Sequence, residues 1–366
     1  MDPAYRADVV GSLLRPEALR RARAGLTAGT VSREQLTAAE DDAVRQVIDL
    51  QRDCGLPVVT DGELRRGTYT APLTEGLEGV AEVGGRYRTW HDARGEEHRL
   101  RQPHAVTDKL KLRESVAVNE YRFARAVTGL PVKVTLPSPL TMLNRWTPEV
   151  SGTAYPDPFE LFADCTEILG SVVSGLIGLG CRYIQFDAPD LTNVVDAQAR
   201  RELDELGISP AQYVDTGCRL LNQLASAGRG DVRFAVHLCR GNRNGLFRKS
   251  GGYERVMSAI FENTPNIATL MLEFDDERSG GFEPLRGAPA GKTLVLGLVS
   301  TKTARLEEPD EIARRIEQAA RYVPLGQLAL STQCGFSSTT EGSALNSDEQ
   351  RRKLALVADV AARVWQ

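Results

Sequence analysis

Eight short runs rich in β-branched and aliphatic residues recur along the chain, each followed by a longer segment with helical spacing. This alternation constrains the fold more than any other feature. The runs lie at 7–12, 58–63, 132–138, 183–188, 233–239, 268–274, 293–300 and 328–334. Several are almost unbroken in apolar residues, as parallel strands covered on both faces must be. Between them, Leu161, Phe162, Cys165, Ile168, Leu169, Val172, Val173, Leu176 and Ile177 share one helical face over 160–180. Pro309 suits the first turn of a helix running to about 322, and Ser347 with Gln350 reads as a capping box opening the last helix. A doubly wound open sheet would share the alternation, but it ordinarily carries a glycine-rich phosphate loop after its first strand, and VVGSLLRP is not GxGxxG. The expectation is therefore α/β: a (β/α)8 TIM barrel, one domain over 1–366, with an excursion hairpin near 80–104 turning around Asp92–Gly95.

Composition narrows the partners. With 42% hydrophobic and 26% charged residues, the chain has the balance of a soluble globular protein. The net charge is −4 and both signs are interspersed, so the basic footprint of nucleic-acid binding is missing. MDPAYRADVVGSLLRP holds neither an apolar core nor a cleavage-site pattern, and no run approaches the roughly 18 apolar residues that cross a bilayer, so no membrane partner is expected. The six cysteines, Cys54, Cys165, Cys181, Cys218, Cys239 and Cys334, contain no CxxC pair and suit the reduced thiols of a cytoplasmic protein. Cys54, Cys165, Cys181 and Cys218 read as inert core residues. His91, His98 and His104 read as solvated members of the excursion.

In a barrel of this kind, polar residues at the carboxyl ends of strands face the active site. Here those ends carry Gly11-Ser12, Asp61-Gly62-Glu63, Pro137-Ser138-Pro139, Asp187-Ala188-Pro189, His237-Leu238-Cys239, Glu273, Ser300-Thr301-Lys302 and Cys334-Gly335. His237 and Cys239 are two apart on one strand and share a face. Imidazole nitrogen and thiolate suit Zn2+, and cysteine excludes magnesium or calcium on grounds of softness. Glu273 ends the next strand, and Cys334 ends the last one, which a closed barrel brings round to the first. Together they make a Cys2HisGlu set. An HxC pair alone is weak, since buried cysteines are usually inert and strand histidines often merely hydrogen-bonded; the coincidence at successive strand ends carries the reading. Glu63 and Asp187 on separate ends suit a cation, with a salt bridge to Arg65 or Arg66 as the plain alternative. The turn at Gly11-Ser12 can offer backbone N–H groups to an anion. Lys302 is a candidate proton donor near the mouth, equally readable as a surface lysine.

With these residues in place, the sequence resembles the catalytic C-terminal barrel of cobalamin-independent methionine synthase. It is more similar still to the short single-barrel relatives of that enzyme, which include the epoxyalkane–coenzyme M transferases. The matching segments run in order from VVGSLLRP through VTDGELRRG, LPSPLTMLNRW, IQFDAPDL, VHLCRGN, SGGYE, LEFDDERSG and LGLVSTK to LSTQCGF. The resemblance implies that His237, Cys239, Glu273 and Cys334 ligate zinc. It implies too that Glu63 and Asp187 hold the ammonium of a homocysteine-like amino acid, with Ser12 near its carboxylate.

There are departures. Long members of the family carry a tryptophan where Arg145 stands, with Trp146 following here, and a proton-transfer histidine in the segment where this chain has Ser300, Thr301 and Lys302. Both changes count against folate as the donor. The segment RGNRNGLFRKSGG brings Arg240, Arg243 and Arg248, able to meet an anionic substrate group or to be plainly solvated. The implied activity is zinc-dependent thiol alkyl transfer, foremost methyl transfer to homocysteine or a close analogue from a folate, a corrinoid protein or a small methylated compound. The alternatives are alkylation of coenzyme M by an epoxide, whose sulfonate thiol leaves Glu63 and Asp187 without a role, and a barrel that binds zinc without catalysis.

Overall fold

The computed structural model describes residues 5–92, 94–228, 230–339 and 343–366. The chain opens with β1 (Ala7–Asp8), α1 (Glu17–Thr27) and α2 (Arg33–Asp53). An excursion follows, made of β2 (Leu77–Ala81), β3 (Tyr87–His91), β4 (Glu97–Arg101) and β5 (Ala105–Leu112), and then α3 (Val116–Val127). From there strands and helices alternate: β6 (Lys133–Pro137), α4 (Pro148–Ser151), α5 (Pro158–Gly178), β7 (Tyr183–Asp187), α6 (Ala197–Asp204) and α7 (Pro210–Ala225). The remainder is β8 (Arg233–Leu238), α8 (Met257–Asn263), β9 (Thr269–Glu273), β10 (Thr293–Val299), α9 (Pro309–Ala319), β11 (Leu328–Thr332) and α10 (Ser347–Val364).

Seven strands form one sheet in the order β1-β11-β10-β9-β8-β7-β6, so the sheet curls until the last strand meets the first at Ala7 and Leu330. The gap between β6 and β1 is filled by the run at 58–63. Val59 bridges Val132 in parallel, its N–H donating to Pro131 O at 3.0 Å while Lys133 N–H donates back to Val59 O at 2.8 Å. On its other side the Thr60 hydroxyl donates to Gly11 O at 2.6 Å, and Leu13 N–H donates to Gly62 O at 3.0 Å. The eighth stave is thus present but shrinks to a single ladder bridge. Gly62 and Glu63 take φ of +72° and +57°, which turns the chain out of the β region immediately after it.

The strands β6, β7, β9, β10 and β11 are buried at every residue. Burial on both faces explains their continuous apolar runs, which an alternating half-exposed strand would not show. Helix α5 is long and apolar enough to cross a membrane by length and composition, which corrects the expectation that no run reaches that limit. Its Leu161, Phe162, Leu169, Val173 and Leu176 are instead buried against the barrel core, with α3 and α7 on its flanks.

Two local expectations shift. The N-cap of α10 is Asn346, not Ser347, and its box partner is Glu349. Asparagine caps as well as serine, and here its side chain accepts from the N–H of both Asp348 and Glu349. Gln350, released from capping, accepts from Leu14 N–H at 2.7 Å and ties the last helix to the first loop. The excursion is also larger than a hairpin: β3 pairs with β4 around a turn at Asp92, and β2 pairs with β5 outside them, both antiparallel.

Candidate functional site

A cavity of about 440 Å³ opens at the carboxyl ends of the strands, and Ser12, Glu63, Asp187, His237, Cys239 and Cys334 all line it. The excursion supplies part of its wall through Arg88, Trp90 and His104, and the loop after β8 supplies Asn242, Arg243, Arg248 and Lys249. These two walls are knitted together. His91 and Phe247 exchange backbone hydrogen bonds of 2.7 and 2.9 Å, and their rings stack with centroids 5.5 Å apart.

His237 lies in β8, Cys239 one residue past its end, and Cys334 two residues past β11. One donor atom from each lies within 4.8 Å of the others, and all three residues are buried. Among the described residues, neither ring nitrogen of His237 has a hydrogen-bond partner of good geometry. The Cys239 thiol is pulled well below its ordinary range by a hydrogen bond from Cys334 and by His237. The same hydrogen bond, with burial, pushes Cys334 well up. The two thiols therefore titrate as one coupled pair. Burial lowers the pKa of His237, but Cys239, Asp187 and Glu273 together outweigh it and the net shift is upward. A buried imidazole beside two coupled thiols is a soft nitrogen–sulfur donor set that fits a divalent cation of the zinc type.

Glu273 is placed differently from the expectation. It is fully buried at the end of β9, but its Oε2 accepts from Arg240 N–H at 2.6 Å and its Oε1 accepts from Lys302 Nζ at 2.9 Å. Its close carboxylate neighbours are Asp275 and Asp276, and Lys302 Nζ reaches these at 3.0 and 3.2 Å. Glu273 thus stands beside the His-Cys-Cys group, near enough to raise the His237 pKa, with both of its oxygens already engaged.

The proton-donor expectation for Lys302 needs correction. Its side chain does not line the cavity but lies buried among three carboxylates. Burial lowers its pKa, yet Glu273 and Asp275 more than offset this and hold it above the lysine range. A proton bound that firmly is poorly suited to transfer.

Asp187 is pushed up to about 7 by burial, which His237 only partly offsets and which Glu63 reinforces. Gln185 Nε2 donates to it at 2.7 Å. Glu63 accepts from Thr135 Oγ1 at 2.8 Å, and Arg66 Nη1 stands 3.9 Å away. The alternative reading of Glu63 is therefore real but long-range, because Arg66 spends its guanidinium on Glu120 at 2.8 Å. Arg65 pairs with Asp41 and Glu40 instead. Two buried acids facing one cavity favour a cationic guest. Gly335 lets the chain after β11 pass Ser12: a Cβ there would meet Ser12 Oγ at 2.0 Å.

Arg243 and Arg248 reach the cavity, but Arg240 does not; it donates to Gly251 O at 2.6 Å and lies over the Tyr253 ring at 3.8 Å, bracing the loop. His104, expected in solvent, lines the cavity. Sequence reasoning also passed over Tyr69, Arg88, Trp90, Asp190 and Lys249, all of which line it. One signal was available: Arg88 and Trp90 are two apart on a strand, so both face the same way.

The fold and the site define a class, a (β/α)8-barrel enzyme with a soft-metal donor cluster and paired acids at the carboxyl end of its strands. The chain belongs to the family of cobalamin-independent synthase catalytic domains, whose family model matches residues 6–362. That membership makes it a methionine-synthase-like methyltransferase. It is 35% identical to the uncharacterised protein YxjG of Bacillus subtilis, across 100% of this chain and 96% of that one. It is 31% identical to a methionine synthase of Sulfolobus acidocaldarius, across 90% of this chain and 84% of that one. A Listeria monocytogenes structure classed as a vitamin-B12 independent methionine synthase superposes with a TM-score of 0.75 at 25% identity, over 99% of this chain and 98% of that one. The B12-independent methionine synthase of a Shewanella species, solved with selenomethionine, shares the fold with a TM-score of 0.74 at 22% identity, over the same shares.

Proposed function

We propose that this chain is a zinc-dependent S-methyltransferase that alkylates homocysteine or a close analogue. The observation that carries the reading is the convergence of His237, Cys239 and Cys334 in one buried group beside two acids, Glu63 and Asp187, in the same cavity. His237, Cys239 and Cys334 would hold the metal, and Glu273 would join them as a fourth ligand on giving up its contact with Lys302 or Arg240 N–H. Zn2+ bound there would supply the charge that keeps a substrate thiol ionised at neutral pH, where a free thiol of pKa about 8.5 is mostly protonated.

The remaining work belongs to side chains. Asp187 and Glu63 hold the ammonium of the acceptor and orient its sulfur, while the turn at Gly11-Ser12 faces its carboxylate. The excursion and the loop after β8 close over the cavity and keep water from competing for the alkyl group. The sulfur forms its bond to the alkyl carbon as the carbon–donor bond breaks in line, and the bonding pair leaves with the donor, which is either cationic beforehand or takes a proton from solvent. The donor is a folate, a corrinoid protein or a small methylated compound. The six cysteines are free thiols, which accords with a cytoplasmic setting as part of the same proposal.

Metal analysis of the purified protein should find about one zinc per chain. Cys334→Ser should lose it, and full zinc occupancy in that variant would remove the site as drawn. With cobalt in place of zinc, homocysteine should change the visible spectrum and coenzyme M should not. The reverse order of response would favour the coenzyme M reading, and silence with both would favour a non-catalytic binder.

A further inference from the structure

The cavity has a second region that thiol activation leaves unused. Arg88, Arg145, Arg248 and Lys249 all line it. Arg88, Arg145 and Lys249 are only 4%, 5% and 2% exposed, and the Arg248 side chain is 9% exposed. Their carboxylate partners are few. Glu202 Oε2 is shared between Arg248 at 2.6 Å and Arg88 at 3.7 Å. Asp190 accepts from Thr141 at 2.7 Å and from Asn144 at 3.4 Å, both neutral groups.

Arg145 is the least compensated. Among the described residues it has no ion pair; its Nη2 donates to Thr70 Oγ1 at 2.9 Å, and its buried Nε has no acceptor. Lys249 Nζ meets Pro189 O and Asn193 Oδ1, again neutral. Trp90 Nε1, in the same wall, is a further buried donor without an acceptor among the described residues. Buried cations are normally paired, and these four have only Glu202 and Asp190 as the carboxylates beside them, an excess of positive charge that an anionic guest would offset. Burial and mutual repulsion lower Arg248 to about 10 and Lys249 to about 7, in keeping with an excess of positive charge.

This region is distinct from the acid pair. The two groups hold different partners: Asp187 accepts from Gln185 Nε2 and Glu63 from Thr135 Oγ1, whereas Arg145 donates to Thr70 Oγ1 and Lys249 to Pro189 O and Asn193 Oδ1. Lys249 joins the two regions, since it also senses Cys239. We propose that Arg88, Arg145 and Lys249 form a subsite for a compact anionic group, a carboxylate, phosphate or sulfonate, carried by the alkyl donor. The inference rests on reading the His237 side of the cavity as the thiol acceptor's place.

The test uses the zinc-loaded protein with inorganic phosphate, acetate and methanesulfonate as separate probes, followed by calorimetric titration and by thermal unfolding. At least one probe should bind saturably and raise Tm, and the ranking of the three identifies the anion. Arg145→Met should weaken that binding about tenfold or more, because a charge-assisted contact is lost. It should also raise the Tm of the probe-free protein, since an uncompensated buried charge is removed; a merely structural arginine would do the opposite. Lys249→Met gives an independent second reading of anion affinity. Homocysteine should bind alongside the probe. The subsite is overturned if none of the three binds, if both variants bind the anion as the wild type does, or if homocysteine displaces it. A cobalt-substituted protein that ignores homocysteine fails the thiol reading instead, so the two failures are distinguishable.

Discussion

Glu273 has both oxygens satisfied without a metal, one by Lys302 and one by the Arg240 backbone. Replacing Lys302 with methionine removes one of these holds and leaves the carboxylate seeking a cation. Zinc affinity should then rise, and Glu273→Gln should weaken it more in the Lys302→Met background than in the wild type. Competition against a chromophoric chelator measures both. Equal effects in the two backgrounds would show that Lys302 has no hold on the ligand set. Lys249 carries a pH signature. Its folded pKa of about 7 lies below the ordinary 10.5, so below pH 7 the folded chain bears the full cost of a buried charge. Between these values the unfolded chain binds a proton that the folded one does not, and stability rises with pH; above 10.5 the cost is gone. Lys249→Met should therefore gain most over the wild type below pH 7. The gain should shrink toward pH 10.5 by at most about 1.4 kcal/mol per unit, as read by chemical denaturation at several pH values. A difference that stays flat with pH would show that Lys249 is not desolvated. Glu63 sits at φ +57°, where a non-glycine residue is strained. Glu63→Gly should relieve about 1 kcal/mol in a melting experiment while weakening homocysteine binding, the pattern of strain kept for function.

At the scale of elements, helices and strands were legible where the physics is local. The run at 160–180 became α5 because its apolar face alone specifies a buried helix, and the strands showed themselves because each is buried on both sides. The cap of α10 was misplaced by one residue because Asn346 and Ser347 are both good caps, and only the geometry of the entering chain chooses between them. Asn346→Ala should cost about 1 kcal/mol in urea denaturation, whereas Ser347→Ala should cost little. The pairing of β2 with β5 was not legible, since its partners are separated by the entire inner hairpin. Neither was the seam between His91 and Phe247, which turns an apparently solvated excursion into a cavity wall.

Across the whole molecule, a buried network holds the staves together near the amino ends of β6 and β7. Lys133 Nζ lies 2.7 Å from Asp8 Oδ1, and Tyr183 OH donates to Asp8 Oδ2 at 2.6 Å, joining β1, β6 and β7 across the barrel. Lys133→Met leaves Asp8 buried and unpaired as a cation partner, and should cost about 3–5 kcal/mol in urea denaturation. Adding Asp8→Asn should recover part of that loss, and a double variant no better than the single one would show that the charge pair is not the source. The strand count, the barrel and the residues at the strand ends could be read from the chain, because apolar periodicity and the face a side chain takes are decided within a few residues. The meeting of His237, Cys239 and Cys334 was legible too, because barrel closure brings their strand ends round to one another. Other meetings were not: Glu273 turns to Lys302, and Arg88 and Arg145 share a wall although 57 positions separate them. Such meetings depend on how a curled sheet closes and where loops cross it, and on the low-dielectric interior that closure creates, in which each charge takes the partner within reach.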